Sequence, residues 1–368
     1  MKALTQIGRI LTGLLFVFSG FVKGIDPMGT AFKLGDYFTA FGVGFLHDLA
    51  LPLAIILCLV EFVTGMMLLT GSLVRLASWM AALFMALFTP LTLVLAIFNP
   101  VSDCGCFGDA IHLTNWQTFG KNMVLIAMVI VLFAWRKHIK QLFSKTVEWV
   151  VIAGVIIVFV LFAGANLRYL PVIDFLPYKT GVKIADKMVI PDSLSGDEYL
   201  TTFIYEKNGI IKEFNLNNYP AHDSTWKFVD QKSILIKRGY KPPIHDFIIT
   251  TLNGEDLTQK VLSCPGYSVL MISKKLAEAG NKSLSGGFAL GNYCHANGIN
   301  FYILTSSVTE EVRSYNNGLM FCSVDETTLK TMVRANPGYI LIKDGIILGK
   351  WSWANVPDKE WFGKLSDK

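Results

Sequence analysis

The chain has 368 residues, of which 52% are hydrophobic and only 17% are charged, and its net charge is +5 at neutral pH. Soluble domains usually carry about a quarter charged residues, so this composition excludes a wholly soluble protein. The positive charge is concentrated at 136–145 rather than in a basic stripe with interleaved aromatic residues, so we expect no nucleic-acid partner.

The first half of the chain is a succession of apolar runs, each approaching the roughly 20 residues needed to cross a bilayer. Lys2 and Arg9 open the first run, but no small-x-small cleavage site follows it, which favours a retained anchor over a signal peptide. The stretch Thr30 to Phe41 predicts a short amphipathic helix at the membrane interface. Five spans are predicted, at 5–23, 49–70, 73–98, 116–135 and 147–166.

Positive charges between the spans predict the orientation. Lys2, Arg9, Arg75 and the cluster from Arg136 through Lys140 to Lys145 all fall on one side if five spans cross, and that side should be the cytoplasm. The loop after the first span, the loop around residue 104 and everything after residue 167 would then face outward. We therefore predict a bacterial inner-membrane protein with a cytoplasmic N-terminus and a periplasmic C-terminal domain.

The second half alternates strand and helix patterns. Residues 198–205 and 210–216 flank the turn Lys207-Asn208-Gly209 and predict a β-hairpin. The pattern predicts further strands at 233–236, 268–273, 301–305 and 339–342, and helices at about 285–297, 308–316 and 325–334. The predicted domains are a membrane bundle at 1–140, a fifth span with exit linker at 141–180, a small β-rich segment at 181–238 and an α/β domain at 239–368.

Cys104 and Cys106 lie one residue apart on a turn-rich, outward-facing loop, and they are the first candidate site. Such a pair could ligate a soft metal, form a reactive disulfide, or be structurally inert. The intervening Gly105 frees the backbone to bring the two sulfurs together. A metal site lacks an obvious partner set, because His112 is the only nearby histidine, and no metal is predicted.

Glu61 lies inside the second span, where an ionisable side chain is a functional candidate by default. Its partner could be Lys23, Arg75 or Lys121, or a polar side chain such as Asn122. The alternative is a structural role without function, in which Glu61 pairs locally with a residue such as Thr64. The hypothesis for Glu61 is a role in cofactor binding.

The soluble half carries a resemblance of its own. Gly239 to Phe247, the turn Asn253-Gly254 and the strand that follows resemble the opening of membrane-tethered thioredoxin-like proteins. Asn336-Pro337-Gly338 before a strand resembles the segment in which thioredoxins carry a cis proline, which makes Pro337 the structural cis-proline candidate. Thioredoxins place Cys-x-x-Cys just after the first core strand, but Ser273-Lys274-Lys275 stands there in this chain. The domain is therefore predicted to be redox-silent.

The N-terminal half resembles the DoxX family and its MauE relatives. The resemblance rests on Gly8 to Lys23 with Asp26-Pro27, and the segment Cys104 to Gly108 resembles the MauE branch more specifically. The whole chain resembles DoxX-family proteins of Bacteroidota. The resemblance implies a four-helix membrane core, and links to disulfide formation in an amine dehydrogenase for MauE and to thiosulfate–quinone oxidoreduction for DoxX.

Together these features predict a fold in two parts. A membrane α-helical bundle, with a four-helix DoxX-like core and a fifth span, would precede a small β insertion and an α/β thioredoxin-like domain. The leading functional hypothesis is a thiol–disulfide oxidoreductase in which Cys104 and Cys106 take electrons from periplasmic thiol proteins bound by the soluble domain, and pass them to a membrane acceptor such as a quinone. The alternative is a non-enzymatic membrane scaffold or assembly factor, whose redox-silent domain binds envelope proteins.

Overall fold

The membrane half is a helical bundle. The computed structural model describes residues 2–139, 143–221, 223–237, 239–315 and 318–366. Lys140 of the basic cluster and residue 316 of a predicted helix lie outside these ranges. The helices of this half are α1 (Lys2–Ile25), α2 (Pro27–Ala40), α3 (Ala50–Thr70), α4 (Val74–Phe98), α5 (Asn115–Trp135) and α6 (Lys145–Tyr169), with a 3-10 helix at Gly44–Leu49 before α3.

Within the described residues five helices, α1 and α3 to α6, are long and apolar enough to cross a membrane. Their bounds lie within three residues of the predicted spans. Large apolar side chains remain exposed around the bundle, among them Leu87, Ile130 and Leu161. An apolar surface of this extent suits contact with lipid rather than water. The predicted membrane bundle is confirmed.

Glycines bring α1 and α3 into close contact. A Cβ on Gly20 would lie 2.7 Å from the backbone nitrogen of Phe62, and a Cβ on Gly65 would lie 2.5 Å from that of Val17. Small residues at helix interfaces let backbones approach closely in membranes, where lipid offers little hydrophobic driving force between helices. This packing places the C-terminal end of α1 directly against the middle of α3.

The predicted hairpin forms part of a separate three-stranded antiparallel sheet. Its strands are β1 (Glu198–Lys207), β2 (Ile210–Asn215) and β3 (Lys227–Lys237), in the order β2-β1-β3. Asn208 and Gly209 both adopt positive φ, as a two-residue turn between twisted strands requires.

The remaining elements build a six-stranded sheet with helices on both faces. The elements are β4 (Thr250–Thr251), α7 (Thr258–Leu262), β5 (Tyr267–Ile272), α8 (Asn281–Ala296), β6 (Asn300–Thr305), α9 (Thr309–Ser314), β7 (Met320–Ser323), α10 (Glu326–Met332), β8 (Gly338–Lys343), β9 (Ile346–Ser352) and α11 (Lys359–Ser366).

The strand order β4-β7-β6-β5-β8-β9 gives this sheet a thioredoxin-like topology. Strands β5, β6 and β7 are parallel, whereas β8 runs antiparallel to β5, and β9 at the edge runs antiparallel to β8. The peptide between Asn336 and Pro337 is cis and lies just before β8. The α/β domain predicted from sequence is confirmed, although the short elements β4, α7, β7 and α11 were not predicted.

The exit segment after α6 packs into this domain. Tyr178 and Ile184 are buried in the same apolar core as strands β5 and β8. The backbone N–H of Gly181 donates to the carbonyl of Ile347 at 2.7 Å, and that of Ile347 donates to the carbonyl of Val182 at 2.9 Å. The thioredoxin-like core therefore includes residues that precede position 239.

Candidate functional site: a dithiol loop beside a membrane cavity

The loop between α4 and α5 carries Cys104 and Cys106. Asn99 ends α4 in the left-handed conformation, and Asn115 closes the base of the loop. The Asn115 amide donates to the side-chain oxygen of Asn99 at 2.8 Å and to the carbonyl of Val101 at 2.9 Å. The loop is thus fixed at both ends.

Local backbone geometry brings the two thiols together. Gly105 has φ +66°, which favours glycine, and its N–H donates to a carboxylate oxygen of Asp103 at 2.9 Å. The sulfurs of Cys104 and Cys106 lie 3.0 Å apart, and both cysteines are free thiols. The arrangement is a reduced pair ready to close into a disulfide after a small displacement.

Helices α2 and α1 hold the loop in place through hydrogen bonds. The Tyr37 hydroxyl donates to the carbonyl of Cys104 at 2.8 Å, and the Ser19 hydroxyl donates to the carbonyl of Cys106 at 2.6 Å. The Lys33 ammonium lies 3.3 Å from a carboxylate oxygen of Asp103. Burial raises the pKa of Tyr37, so this hydroxyl remains a donor at neutral pH.

Charged side chains surround the pair on the bundle side. Lys23 and Glu61 form an ion pair between α1 and α3, with the Lys23 side chain only 6% exposed. Lys23 is one of the partners proposed from sequence for Glu61, whereas Thr64 donates to the carbonyl of Val60 instead. The Lys121 ammonium lies 4.7 Å from the centre of the Phe107 ring.

This environment gives the two thiols different pKa values. A hydrogen bond from Cys104 lowers the pKa of Cys106 to about 7, against the opposing effect of burial, and the nearby ammonium groups of Lys121 and Lys23 lower it further. The same hydrogen bond and burial raise the pKa of Cys104. Cys106 is therefore the member of the pair that ionises first, and a thiolate is the reactive form of cysteine.

A cavity of about 660 Å³ extends from the dithiol into the membrane half. Cys104, Cys106, Lys23, Glu61 and Lys121 line its polar end. Most of the rest of its wall is apolar and includes Leu53, Ile56, Leu57, Val60, Leu87 and Phe88. Leu53, Ile56 and Leu87 also belong to the exposed surface of the bundle, so the cavity opens toward the lipid side.

The other cysteines lie outside the dithiol loop. Cys58, Cys294 and Cys322 are buried in apolar cores, and burial raises the pKa of Cys294 and Cys322 to about 12. The Cys264 sulfur accepts a hydrogen bond from the Asn300 amide at 3.2 Å. Across the described ranges, no group of three or more His, Cys, Asp or Glu side chains is placed to hold a metal ion.

The thioredoxin-like domain also reaches the loop, through a residue that the sequence did not single out. The Arg334 Nε lies 2.6 Å from a carboxylate oxygen of Asp26, and the guanidinium also pairs with Asp109 in the dithiol loop. Ser273 and Pro337 lie at the same end of the domain as Arg334. The Ser273 hydroxyl donates to the Asn336 side-chain oxygen at 3.0 Å, and the Lys274 ammonium donates to the carbonyl of Arg334 at 3.1 Å. The end of the domain that carries Cys-x-x-Cys in thioredoxins therefore faces the dithiol of the membrane half.

Gly105→Ala should disturb the dithiol. An L-residue at φ +66° costs about 1–2 kcal/mol, and the added Cβ would lie 2.8 Å from Cγ of Lys33. We expect slower closure of the Cys104–Cys106 disulfide by a mild oxidant, followed by mass spectrometry. Gly120→Ala on α5 is the matched control, because a Cβ there meets no atom within 4 Å, and equal rates in the two variants would contradict this account.

Two family models match parts of the chain. The family model for the methylamine utilisation protein MauE matches residues 1–135, and one for a domain of unknown function (DUF8463) matches residues 199–238. No curated protein matches the chain. One similar solved structure is a secreted disulfide oxidoreductase of Mycobacterium tuberculosis, described as homologous to E. coli DsbE. It has 16% identity and a TM-score of 0.26, and the match covers 33% of this chain and 95% of that one. Residues 1–135 are thus a MauE-like membrane domain, and the strand order and cis proline of the C-terminal part make it a thioredoxin-like domain.

Proposed function

We propose that this protein is a membrane thiol–disulfide oxidoreductase whose redox centre is the Cys104–Cys106 pair. The observation that carries the proposal is the position of the pair, at the polar end of an apolar cavity that opens toward lipid. A dithiol placed there can meet a water-soluble thiol protein from outside and a lipid-soluble acceptor from within the membrane. A structural cysteine pair needs neither the cavity nor the cations.

The chemistry consists of two balanced exchanges. In the first, a thiolate of a dithiol partner attacks the Cys104–Cys106 disulfide and forms a mixed disulfide. The partner's second thiol resolves it, so the partner leaves oxidised while the pair becomes a dithiol. In the second, the dithiol returns to the disulfide as two electrons and two protons pass to the membrane acceptor. Because Cys106 ionises before Cys104, Cys106 is the thiol that starts the second exchange.

A quinone is the acceptor class that the cavity fits best. Most of its wall is apolar, as an isoprenoid tail requires, and its polar end offers the ammonium groups of Lys23 and Lys121 near the dithiol. A quinone bound there would supply a two-electron, two-proton acceptor. Glu61 would act through Lys23, to which it is paired, and would keep that ammonium in place.

The charge pattern supports an outward-facing site. Lys2, Arg9 and Arg75 mark the cytoplasmic side by the positive-inside rule. The dithiol loop and the thioredoxin-like domain then lie on the opposite side, the periplasm of a bacterial inner membrane. That compartment permits disulfides and contains thiol proteins that need oxidation.

A scaffold role is the second candidate, because Ser273 and Lys274 occupy the place of the thioredoxin cysteines. The two functions differ in an assay with the full chain in lipid vesicles, dithiothreitol as the dithiol and a short-chain quinone as acceptor. The oxidoreductase should form quinol faster than the same vesicles with a Cys104→Ser/Cys106→Ser variant. Equal rates would reject the proposal and favour the scaffold.

The acidity of Cys106 predicts a distinctive pH profile. Because the thiolate is the reactive form, alkylation of Cys106 by iodoacetamide should rise with pH with its midpoint at about pH 7, whereas an ordinary thiol has its midpoint at about pH 8.5. Lys121→Met should move the midpoint to higher pH, because it removes a cation that stabilises the thiolate. Site-resolved mass spectrometry measures the profile, and a wild-type midpoint at or above pH 8.5 would contradict it.

A further inference from the structure

We infer that the thioredoxin-like domain binds the dithiol loop of its own chain and acts as a clamp over it, with Arg334 as the positioning residue. The positional part of this inference follows from contacts alone, and the part that concerns access of partner thiols rests on the proposed function. No sequence motif marks Arg334, which follows α10 and precedes the cis proline by three residues.

Arg334 is held rigidly on the side of the soluble domain. Its Nη1 donates to the carbonyl of Lys330 at 2.7 Å, and its own carbonyl accepts from the Lys274 ammonium at 3.1 Å. The Arg334 side chain is only 8% exposed. A buried, planar guanidinium with a fixed backbone is suited to recognise two carboxylates in a defined geometry.

Each carboxylate that Arg334 binds supports a different side of the dithiol. Asp26 caps α2, since its side chain accepts a hydrogen bond from the Gly29 N–H at 2.8 Å. The same helix carries Tyr37, whose hydroxyl donates to the carbonyl of Cys104. Asp109 belongs to the dithiol loop itself, three residues after Cys106. Arg334 of the soluble domain therefore connects α2, whose Tyr37 contacts Cys104, with the loop segment that follows Cys106.

The surface around Arg334 is built for this contact. The ring of Phe32 on α2 lies within 5.5 Å of three cations of the soluble domain, which are Lys274, Lys330 and Arg334. Burial and the neighbouring Arg334 and Lys330 lower the pKa of Lys274 to about 7, which eases the cost of burying it. Cations stacked around one aromatic ring are mutually repulsive and need the nearby carboxylates to hold them.

This arrangement changes the role of the domain. The end of β5 and the cis-proline loop, which lie beside the reactive cysteines in thioredoxins, are turned onto the membrane half. That face is not free for an external protein while the clamp is closed. The domain without Cys-x-x-Cys thus contributes to redox chemistry by holding and covering a dithiol that lies elsewhere in the chain, and a bulky partner reaches Cys106 only when the clamp opens.

The experiment uses full-length reduced protein in nanodiscs and a bulky, charged, water-soluble maleimide. Arg334→Ala and Asp109→Asn should each accelerate modification of the Cys104–Cys106 pair by about tenfold, and the double variant should add little because both act on one contact. Lys343→Ala is the matched control. Lys343 is a cation of the same domain at the far end of β8, where its ammonium lies 4.5 Å from the centre of the Tyr267 ring rather than beside the loop, and its removal should change the rate less than about twofold.

The far-UV circular dichroism spectrum and the monodisperse elution profile of each variant report whether it is folded. If Arg334→Ala fails to fold, Asp109→Asn tests the same contact, because it alters the partner of Arg334 in the membrane half. Wild-type rates in whichever of these variants folds would overturn the clamp. The maleimide rate needs no quinone and no partner, so a clamp that behaves as expected in a protein without quinone reductase activity would separate this inference from the proposed function.

Discussion

Lys23→Met should strongly destabilise the membrane half, because it leaves the Glu61 carboxylate buried without its cation. Removal of one partner of a buried ion pair typically costs about 3–5 kcal/mol. We expect a clear fall in the temperature at which the detergent-solubilised protein loses its monodisperse elution profile. The double variant Lys23→Met/Glu61→Leu should recover much of the loss, since it removes both charges together.

Lys33→Met is the matched control for this prediction. Lys33 carries the same charge at the same end of the bundle, but its side chain is 23% exposed and its pairing with Asp103 is solvent-accessible. Pairs of this kind contribute about 0–1 kcal/mol. Equal losses for Lys23→Met and Lys33→Met, or losses at Lys23 and Glu61 that simply add, would show that the buried pair is not a unit.

The second large effect concerns turnover. Cys106→Ser should lower dithiol-dependent quinone reduction about a thousandfold or more, as removal of a nucleophile does in enzymes that depend on one. Cys104→Ser should also stop turnover, but for a different reason. It leaves the reactive Cys106 in place, but Cys106 alone cannot form the Cys104–Cys106 disulfide that the partner thiolate attacks.

Non-reducing electrophoresis distinguishes the two variants. With an added small protein that carries an exposed disulfide, the Cys106 thiolate of Cys104→Ser should attack that disulfide, release one probe thiolate and form a reductant-sensitive adduct, whereas Cys104 of Cys106→Ser should react much more slowly. Cys264→Ser serves as the control, because Cys264 lies in the soluble domain beside Asn300 and should be dispensable. If Cys264→Ser abolished turnover, the redox centre would have to be reassigned.

Sequence reasoning anticipated most of the fold because the relevant signals are local. Apolar runs of about 20 residues define the spans, and the turn Asn208-Gly209 between alternating segments defines the hairpin. Short elements such as β4, with two residues, and β7, with four, carry too little pattern to be recognised. Their positions depend on strand pairing, because β7 pairs with β6 and β4 pairs with β7.

The candidate site was only partly accessible to the same reasoning. The spacing of Cys104, Gly105 and Cys106 identified the dithiol, and the depth of Glu61 identified a buried ion pair without choosing its partner. Arg334 could not be identified, because its carboxylate partners lie 308 and 225 positions away in sequence. A contact over such a separation depends on how two domains dock, and no local propensity or periodicity encodes it.

The central claim is that the Cys104–Cys106 pair passes electrons to an acceptor within the membrane. The most direct test starts from fully reduced, reconstituted protein, adds a short-chain quinone without oxygen, and quenches with an alkylating agent for mass spectrometry. We predict rapid loss of two alkylatable thiols, both in the peptide that contains Cys104 and Cys106, with one equivalent of quinol formed per protein. Thiols that stay fully alkylatable, with no quinol formed, would contradict the account.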